Sequence, residues 1–293
     1  MTHTYTIRFS TLANAVLIAV LLALAPLVGC TKTIDTSLTK AREHAPMLVE
    51  VAKQDVEELQ KGMPVGAAQL QSLFRAETAP KDDLDAVRKQ LGHARNHVQD
   101  LRVAKSTFFV LAEKDGTILR SDREPDLLSS KNLFSGFPET RKCNEGTTVV
   151  SRGEMPEAAG VKDRKDGQFI VAVPVLLDNV AVGIYASGWS WAAYAYRLQN
   201  ALLSDVRSKR KDDREKDPLL YVYLVVGPDV FGAPTAPEVN AEAIRKLQPL
   251  TKAIGESVFA TAIEVTGREF GLAVRRASTL GVDVAVAVIR SET

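Results

Sequence analysis

Cysteine is nearly absent from this chain: 293 residues carry two, Cys30 and Cys143. That is too few for a zinc or haem-attachment spacing. Histidine is sparse as well, and His3, His44, His93 and His97 all precede the strand-rich region that begins at Phe108. Net charge is almost absent. Thirty-seven Lys and Arg against 36 Asp and Glu give +1, so there is no polycationic field to hold nucleic acid. There is no uncharged apolar run of the ~20 residues that a membrane span needs. The N-terminal run, residues 15–29, is 15 long. No Gly-x-Ser-x-Gly, P-loop or dinucleotide fingerprint occurs. Catalysis needs a positioned base, nucleophile or metal, so the chain reads as no enzyme, with no cofactor. Only a carboxylate pair assembled by the fold is left open.

What is present is ordinary globular material, 45% apolar and 25% charged, enough for about two domains. The start reads as a targeting segment. Arg8 is its only charge before the apolar run, which ends in Leu27-Val28-Gly29-Cys30. This resembles a bacterial lipoprotein signal with its lipobox. The resemblance implies cleavage after residue 29, a diacylglycerol on the Cys30 thiol and an acylated (palmitate-type) amino terminus. Two or more acyl chains anchor stably, at ~0.8 kcal/mol per buried CH₂. The alternative is an uncleaved N-terminal membrane helix with an incidental cysteine. Removing residues 1–29 leaves 293 − 29 = 264 residues and, with Arg8 gone, a formal charge of 0. Thr31 at the second mature position favours the outer membrane by the same resemblance. With Cys30 lipidated, Cys143 has no partner in the chain and reads as a buried apolar thiol, with an intermolecular disulfide as the other option.

Residues 30–104 read as anchor, tether and helical neck. After a polar tether at residues 31–39, small and apolar residues recur at Ile34, Leu38, Ala41, Ala45, Leu48, Ala52 and Leu59. Pro46 would cost ~3 kcal/mol inside a helix, so the helix is expected to start or kink there and to end at Gly62-Met63-Pro64. A second short helix carries Leu70, Leu73 and Phe74. A third has Leu84, Val87, Leu91, Ala94, Val98 and Leu101 at spacings 3, 4, 3, 4, 3. That seam fits the neck itself, the sheet or a second copy of the chain. Intramolecular packing is favoured because fewer than three heptads are marginal alone. His93 and His97 sit at a metal-capable spacing but read as a solvated face, since no carboxylate motif accompanies them.

Two strand-rich units follow, expected at residues 105–211 and 218–293. The first opens with Phe108-Phe109-Val110-Leu111, turns at Lys114-Asp115-Gly116 and returns as Thr117-Ile118-Leu119-Arg120. A helical region near residues 126–137, a strand near 146–152 and a polar loop over 153–167 come next. That loop, containing Lys162, Asp163, Arg164, Lys165 and Asp166, is either a lid or an inert solvated loop. The unit closes with a hairpin turning at Leu177-Asp178-Asn179-Val180, and Trp189-Ser190-Trp191 leads into an amphipathic helix. Pro174, lacking an N–H, places its strand at an edge or a bend. After a mixed charge run at residues 207–217, which reads as solvated linker, the second unit shows strand, turn, helix and three strands, with Pro249 breaking its helix.

The helix into Phe-Phe-Val-Leu, the Lys-Asp-Gly turn, the Ile-Leu-Arg-Ser-Asp strand and the Ala-Val-Pro-Val…Val-Gly-Ile-Tyr hairpin together resemble a Cache domain, the extracytoplasmic relative of the PAS fold. The resemblance covers residues 81–205. With the second unit it gives an α+β chain: a helical neck, then two PAS/Cache-like antiparallel-sheet modules in series. It implies a five-stranded sheet with a small-metabolite pocket under the helical region. The Arg-x-Trp-Tyr motif of amino-acid-binding members is missing, which speaks against that ligand class. Candidate ligand contacts are Arg120, for a carboxylate, Asp122, and Tyr185 and Trp189, for stacking. Against each stands a plain role: an exposed strand end, a core tyrosine, a plug at the sheet-to-helix junction. Only three residues follow Arg290, so no output domain is expected and a signal would pass to another envelope protein or membrane receptor. The expected protein is a lipid-anchored, periplasmic-side sensor or ligand-binding accessory, with a homodimer through the neck as one option. The alternative is a structural or interaction lipoprotein with no small-molecule ligand.

Overall fold

The computed structural model describes residues 10–75, 80–159, 166–210 and 216–292, with the side chains of residues 10–32 and of residue 80 outside the described set. The lipobox cysteine side chain and lid residues 162–165 therefore lie outside the described residues. Among the residues whose side chains are described, no helix is long and apolar enough to cross a membrane.

One helix, α1 (Ser10–Leu70), runs the length of the molecule. The expected tether, a helix start at Pro46 and the stop at Gly62-Met63-Pro64 are overturned, because the helix continues through each. The reason is burial. Ala41, Ala45, Leu48, Ala52, Val56, Leu59, Met63, Ala67 and Leu70 form one stripe, each under 4% exposed. Five of these are large side chains worth ~1.5–3 kcal/mol each when buried, which outweighs the ~3 kcal/mol of each interior proline. Small residues set how close the helix comes. A Cβ on Gly271 would lie 2.4 Å from the Leu38 amide nitrogen, and one on Gly66 2.8 Å from the Tyr185 ring. Residues near Ser37 therefore rest on the second sheet, and residues near Gly66 on the first.

The seam helix is α2 (Leu84–His97) and α3 (Gln99–Ala104), broken at Val98, whose backbone is extended. Asp83 caps α2 by accepting from the Asp85 and Ala86 amides at 3.0 and 3.1 Å. Val87, Leu91, Ala94 and Leu101 are buried, and a Cβ on Gly62 would lie 2.8 Å from Leu101. From Val87 onward the seam packs within the same chain, as favoured from its length, while Leu84 at its start stays 44% exposed.

The first sheet contains β1 (Phe108–Ala112), β2 (Ile118–Ser121), β3 (Val149–Gly153), β4 (Gln168–Leu177) and β5 (Val180–Ser190), in the antiparallel order β2-β1-β5-β4-β3. Asp178 and Asn179, both at positive φ, form the two-residue β4–β5 turn. Pro174 pairs with Ile184 on β5, while β3 reaches only to Ala172, so the missing N–H falls where β4 has no second strand. α4 (Leu133–Gly136), a 3-10 segment (Pro138–Glu145) and α5 (Pro156–Ala159) cover the face away from α1.

α6 (Trp191–Ser208) crosses to the second sheet. This holds β6 (Leu219–Val226), β7 (Asp229–Gly232), β8 (Phe259–Val265), β9 (Arg268–Arg276) and β10 (Val284–Ser291), ordered β7-β6-β10-β9-β8. β7 is absent from the sequence reading because its four residues are too short to show a period. The outer face carries α7 (Glu238–Lys246) and α8 (Pro249–Lys252), with the expected break at Pro249. Every residue of β10 is buried, which explains its lack of alternation. A polar clamp joins α1 to α6. Asp55, 2% exposed, accepts from the Tyr194 hydroxyl at 3.1 Å and Arg197 Nε at 2.8 Å, and a second Arg197 nitrogen closes the fork.

Candidate functional site

β-Strand side chains alternate between faces, and this decides what the four candidates from the sequence can reach. Phe109, Leu111, Tyr185 and Trp189 share the face toward α1, whereas Phe108, Val110, Ile184 and Ala186 share the covered outer face. Tyr185 is fully buried and stacks on Phe109, centroids 5.8 Å apart. Its hydroxyl has no hydrogen-bond partner among the described residues, and burial first, then the Asp122 charge, push its pKa well above the usual value. Trp189 donates Nε1–H to the Ala104 carbonyl at 3.2 Å and stacks on Phe169 and Tyr194. Both are packing residues between sheet and helix, and neither faces the space under the helical region.

The end of β2 delivers the other two into a polar knot. Asp122 accepts from Arg95 Nη1 at 2.5 Å and from the Phe109 amide at 2.8 Å. Arg120 gives Nη1 to Asp126 at 3.0 Å and Nη2 to Glu124. Asp126 also accepts from the Ser121 hydroxyl at 2.7 Å and from the Ser121, Leu128 and Ser129 amides. Burial works against its ionisation, but these bonds outweigh it and hold the carboxyl below its ordinary value. The knot satisfies itself except at Arg120 Nε, which is buried with no hydrogen-bond partner among the described residues. A ligand carboxylate on Arg120 would have to displace Glu124, the more exposed partner.

Below the cover, Leu128, Leu133, Phe134, Phe137, Cys143 and Met155 fill the space against the sheet. Cys143 is buried and its thiol is pushed up to about 12 by burial, so it is an inert core residue. A cleft of about 100 Å³ remains beside Arg123, Leu127 and Glu157. Gln168, fully buried, takes the Met155 amide on Oε1 at 2.6 Å and leaves Nε2 without a partner among the described residues. Sequence reasoning missed Gln168, since a polar residue opening an apolar strand reads as its solvated end. His93 and His97 stack on each other at 3.9 Å, and no group of metal-ligating side chains occurs among the described residues.

No family model matches the chain, and no curated protein matches it. Solved structures do. The extracellular domain of vpHK1S-Z8, assigned as a histidine kinase, superposes with a TM-score of 0.50 at 10% identity, covering 89% of this chain and 93% of that one. The corresponding domain of rpHK1S-Z16 gives 0.48 at 15% identity over 88% and 95%. The sensory domain of the Campylobacter jejuni chemoreceptor Tlp3, with isoleucine bound, gives 0.47 at 12% over 88% and 96%. At these identities the likeness is one of fold alone, shared with the extracellular domain of vpHK1S-Z8; in this chain that fold is a long N-terminal helix carrying two antiparallel five-stranded sheets.

Proposed function

We propose that the chain is an extracytoplasmic sensory-type protein of the double Cache kind, held on the bacterial envelope by lipid on Cys30 and acting through a partner. A small metabolite would enter the first module between β2 and its cover. The observation that supports this reading is the asymmetry of two sheets with one strand order, of which only the first is covered through a 14-residue connection, 154–167, beside Gln168; a buried donor without a partner among the described residues lies in each module, Gln168 Nε2 in the first and Asn240 Nδ2 in the second. A cleft of about 100 Å³ is well below the ~300–1,000 Å³ of ordinary ligand sites. Binding therefore requires the Leu128–Phe134–Met155 cover to shift. The same filled space favours a second reading, an interaction lipoprotein with no small-molecule ligand.

A thermal-shift screen of the chain against carboxylates, amines and amino acids separates the two. Saturating ligand at 100 times Kd should add ~2.7 kcal/mol of stability, lost in a Gln168→Leu variant. A flat response across the panel gives the second reading, and in-cell crosslinking then identifies the partner. Mass spectrometry of the mature protein tests the anchor: an unmodified Cys30 thiol refutes it.

A further inference from the structure

The base of the second module holds a cleft of about 330 Å³, enclosed by α1 around His44, the last turn of α6, Lys216 and Pro218 ahead of β6, and the end of β10. Lys40, Lys209, Arg210, Lys216 and Arg290 line it against Glu43, Asp205 and Glu292, five cations to three carboxylates. The three carboxylates are already committed. Lys40 binds Glu43 at 2.9 Å, Lys209 binds Asp205 at 2.8 Å, and Arg290 Nε binds Glu292 at 2.7 Å. Arg210 shares Asp217 with Arg207 at the rim, which leaves the balance at two positive charges.

Two donors stay open. Lys216 makes no ion pair among the described residues. Arg290 is 8% exposed, yet its two terminal nitrogens make no hydrogen bond to a described residue, so half of a planar fork lines the cleft unused. His44, also 8% exposed, has an Nδ1 with no partner among the described residues. Burial and the Arg290 charge keep it neutral, at about 4, so it contributes a polar wall and no charge. Met47 and Val206 supply the apolar part of the lining.

We propose that this cleft binds a phosphate group, its oxygens held by the terminal nitrogens of Arg290 and the ammonium of Lys216, with Lys40, Lys209 and Arg210 around it. Free phosphate near neutral pH carries close to two negative charges, which matches the surplus, and the phosphodiester of an anionic lipid carries one, which the surplus also accommodates. Planar guanidinium forks suit its oxygens. The phosphate can come from solution or from a lipid headgroup. Lys40 stands ten residues beyond Cys30 on the same helix, about 15 Å at 1.5 Å per residue, so a bilayer at Cys30 would bring headgroups near the cleft. The lipid source rests on that reading of Cys30, and the phosphate site does not.

The test is a binding titration of the full chain in a sugar detergent with inorganic phosphate and with short-chain phosphatidylglycerol, using phosphatidylcholine of equal chain length as control. Saturable stabilisation by phosphate and phosphatidylglycerol alike, weakened about tenfold in Lys216→Ala, supports the site and marks the phosphate group as what is read. Stabilisation by phosphatidylglycerol alone, weakened likewise, supports it with a lipid source, and by phosphate alone with a soluble one. Lys216 is exposed, so its variant keeps the fold where Arg290→Ala could lose it. A Cys30→Ser chain should bind inorganic phosphate as the unaltered chain does, which keeps failure of the anchor separate from failure of the site. No saturable response to any probe, an undiminished response in Lys216→Ala, or an equal response to both lipids with none to inorganic phosphate overturns the proposal.

Discussion

The outer faces of the two sheets are covered by segments of nearly equal length, residues 122–148 between β2 and β3 and residues 233–258 between β7 and β8, 27 and 26 residues. They use that length differently. The first builds a polar knot around Asp126, a short helix and a 3-10 segment, and seals a core whose members are all buried. The second lays α7 and α8 over the sheet and leaves Leu247, Leu250, Phe259 and Ile263 only partly buried. The following connection diverges further: 14 residues, 154–167, in the first module against the two-residue turn Thr266-Gly267 in the second. An elaborated cover is thus not the same as an open site. In the first module the polar groups are mostly consumed by one another, while the uncommitted donors Arg290 and Lys216 lie at the base of the plainer module.

The comparison can be broken at the parts the modules share. The largest effect is expected at the clamp that fixes α6 to α1. Asp55→Ala strands Arg197 and Tyr194 and should cost on the order of 3–5 kcal/mol, as losing one partner of a buried ion pair does. Urea denaturation measures it. A loss under 1 kcal/mol would mean the modules keep their register on α1 without the clamp.

Next comes acid. His44 titrates near 4 when folded because burial, then Arg290, oppose its charge, against ~6.5 unfolded. Its folded pKa is the lower one, so its contribution is complete above pH 6.5 and lost as pH falls toward 4. The shift of about 2.5 units at 1.36 kcal/mol each sets a ceiling of ~3 kcal/mol. Stability measured at pH 7 and pH 4 should fall by that much more in the unaltered chain than in His44→Leu. Parallel losses would show that His44 is not the group responsible.

Smaller effects discriminate between the modules. Gly271→Ala pushes a methyl into the α1 backbone and should cost ~1–3 kcal/mol as overpacking. Hydrogen exchange should show the loosening at β9 and β10 while β4 and β5 keep their protection. Loss of protection in both sheets would mean that α1 moves as one rod. Smallest is the ion pair between the modules, Arg152 to Asp283 at 2.5 Å. Both side chains are about a third or more exposed, so Arg152→Ala should change stability by no more than ~1 kcal/mol.

Local pattern made much of this legible. The Asp178-Asn179 turn, the break at Pro249, the intramolecular seam of α2 and α3 and the buried Cys143 follow from turn chemistry, proline geometry and helical spacing, all properties of neighbouring residues. The candidate contacts were far less legible. Tyr185 and Ile184 point to opposite faces, and a sheet buried on both sides shows the same apolar run either way. Nothing local says which face meets α1.

By itself the sequence determined the α+β character, the two strand clusters, their hairpins and the near-neutral charge. Only the tertiary structure decided that α1 runs unbroken through Pro46 and Pro64, that Tyr185 and Trp189 turn inward to it, and that His44, Lys216 and Arg290 meet. The first set depends on contacts within a few residues. The second depends on burial between elements up to 246 positions apart (290 − 44), whose free energy overrides local cost and leaves no trace in spacing.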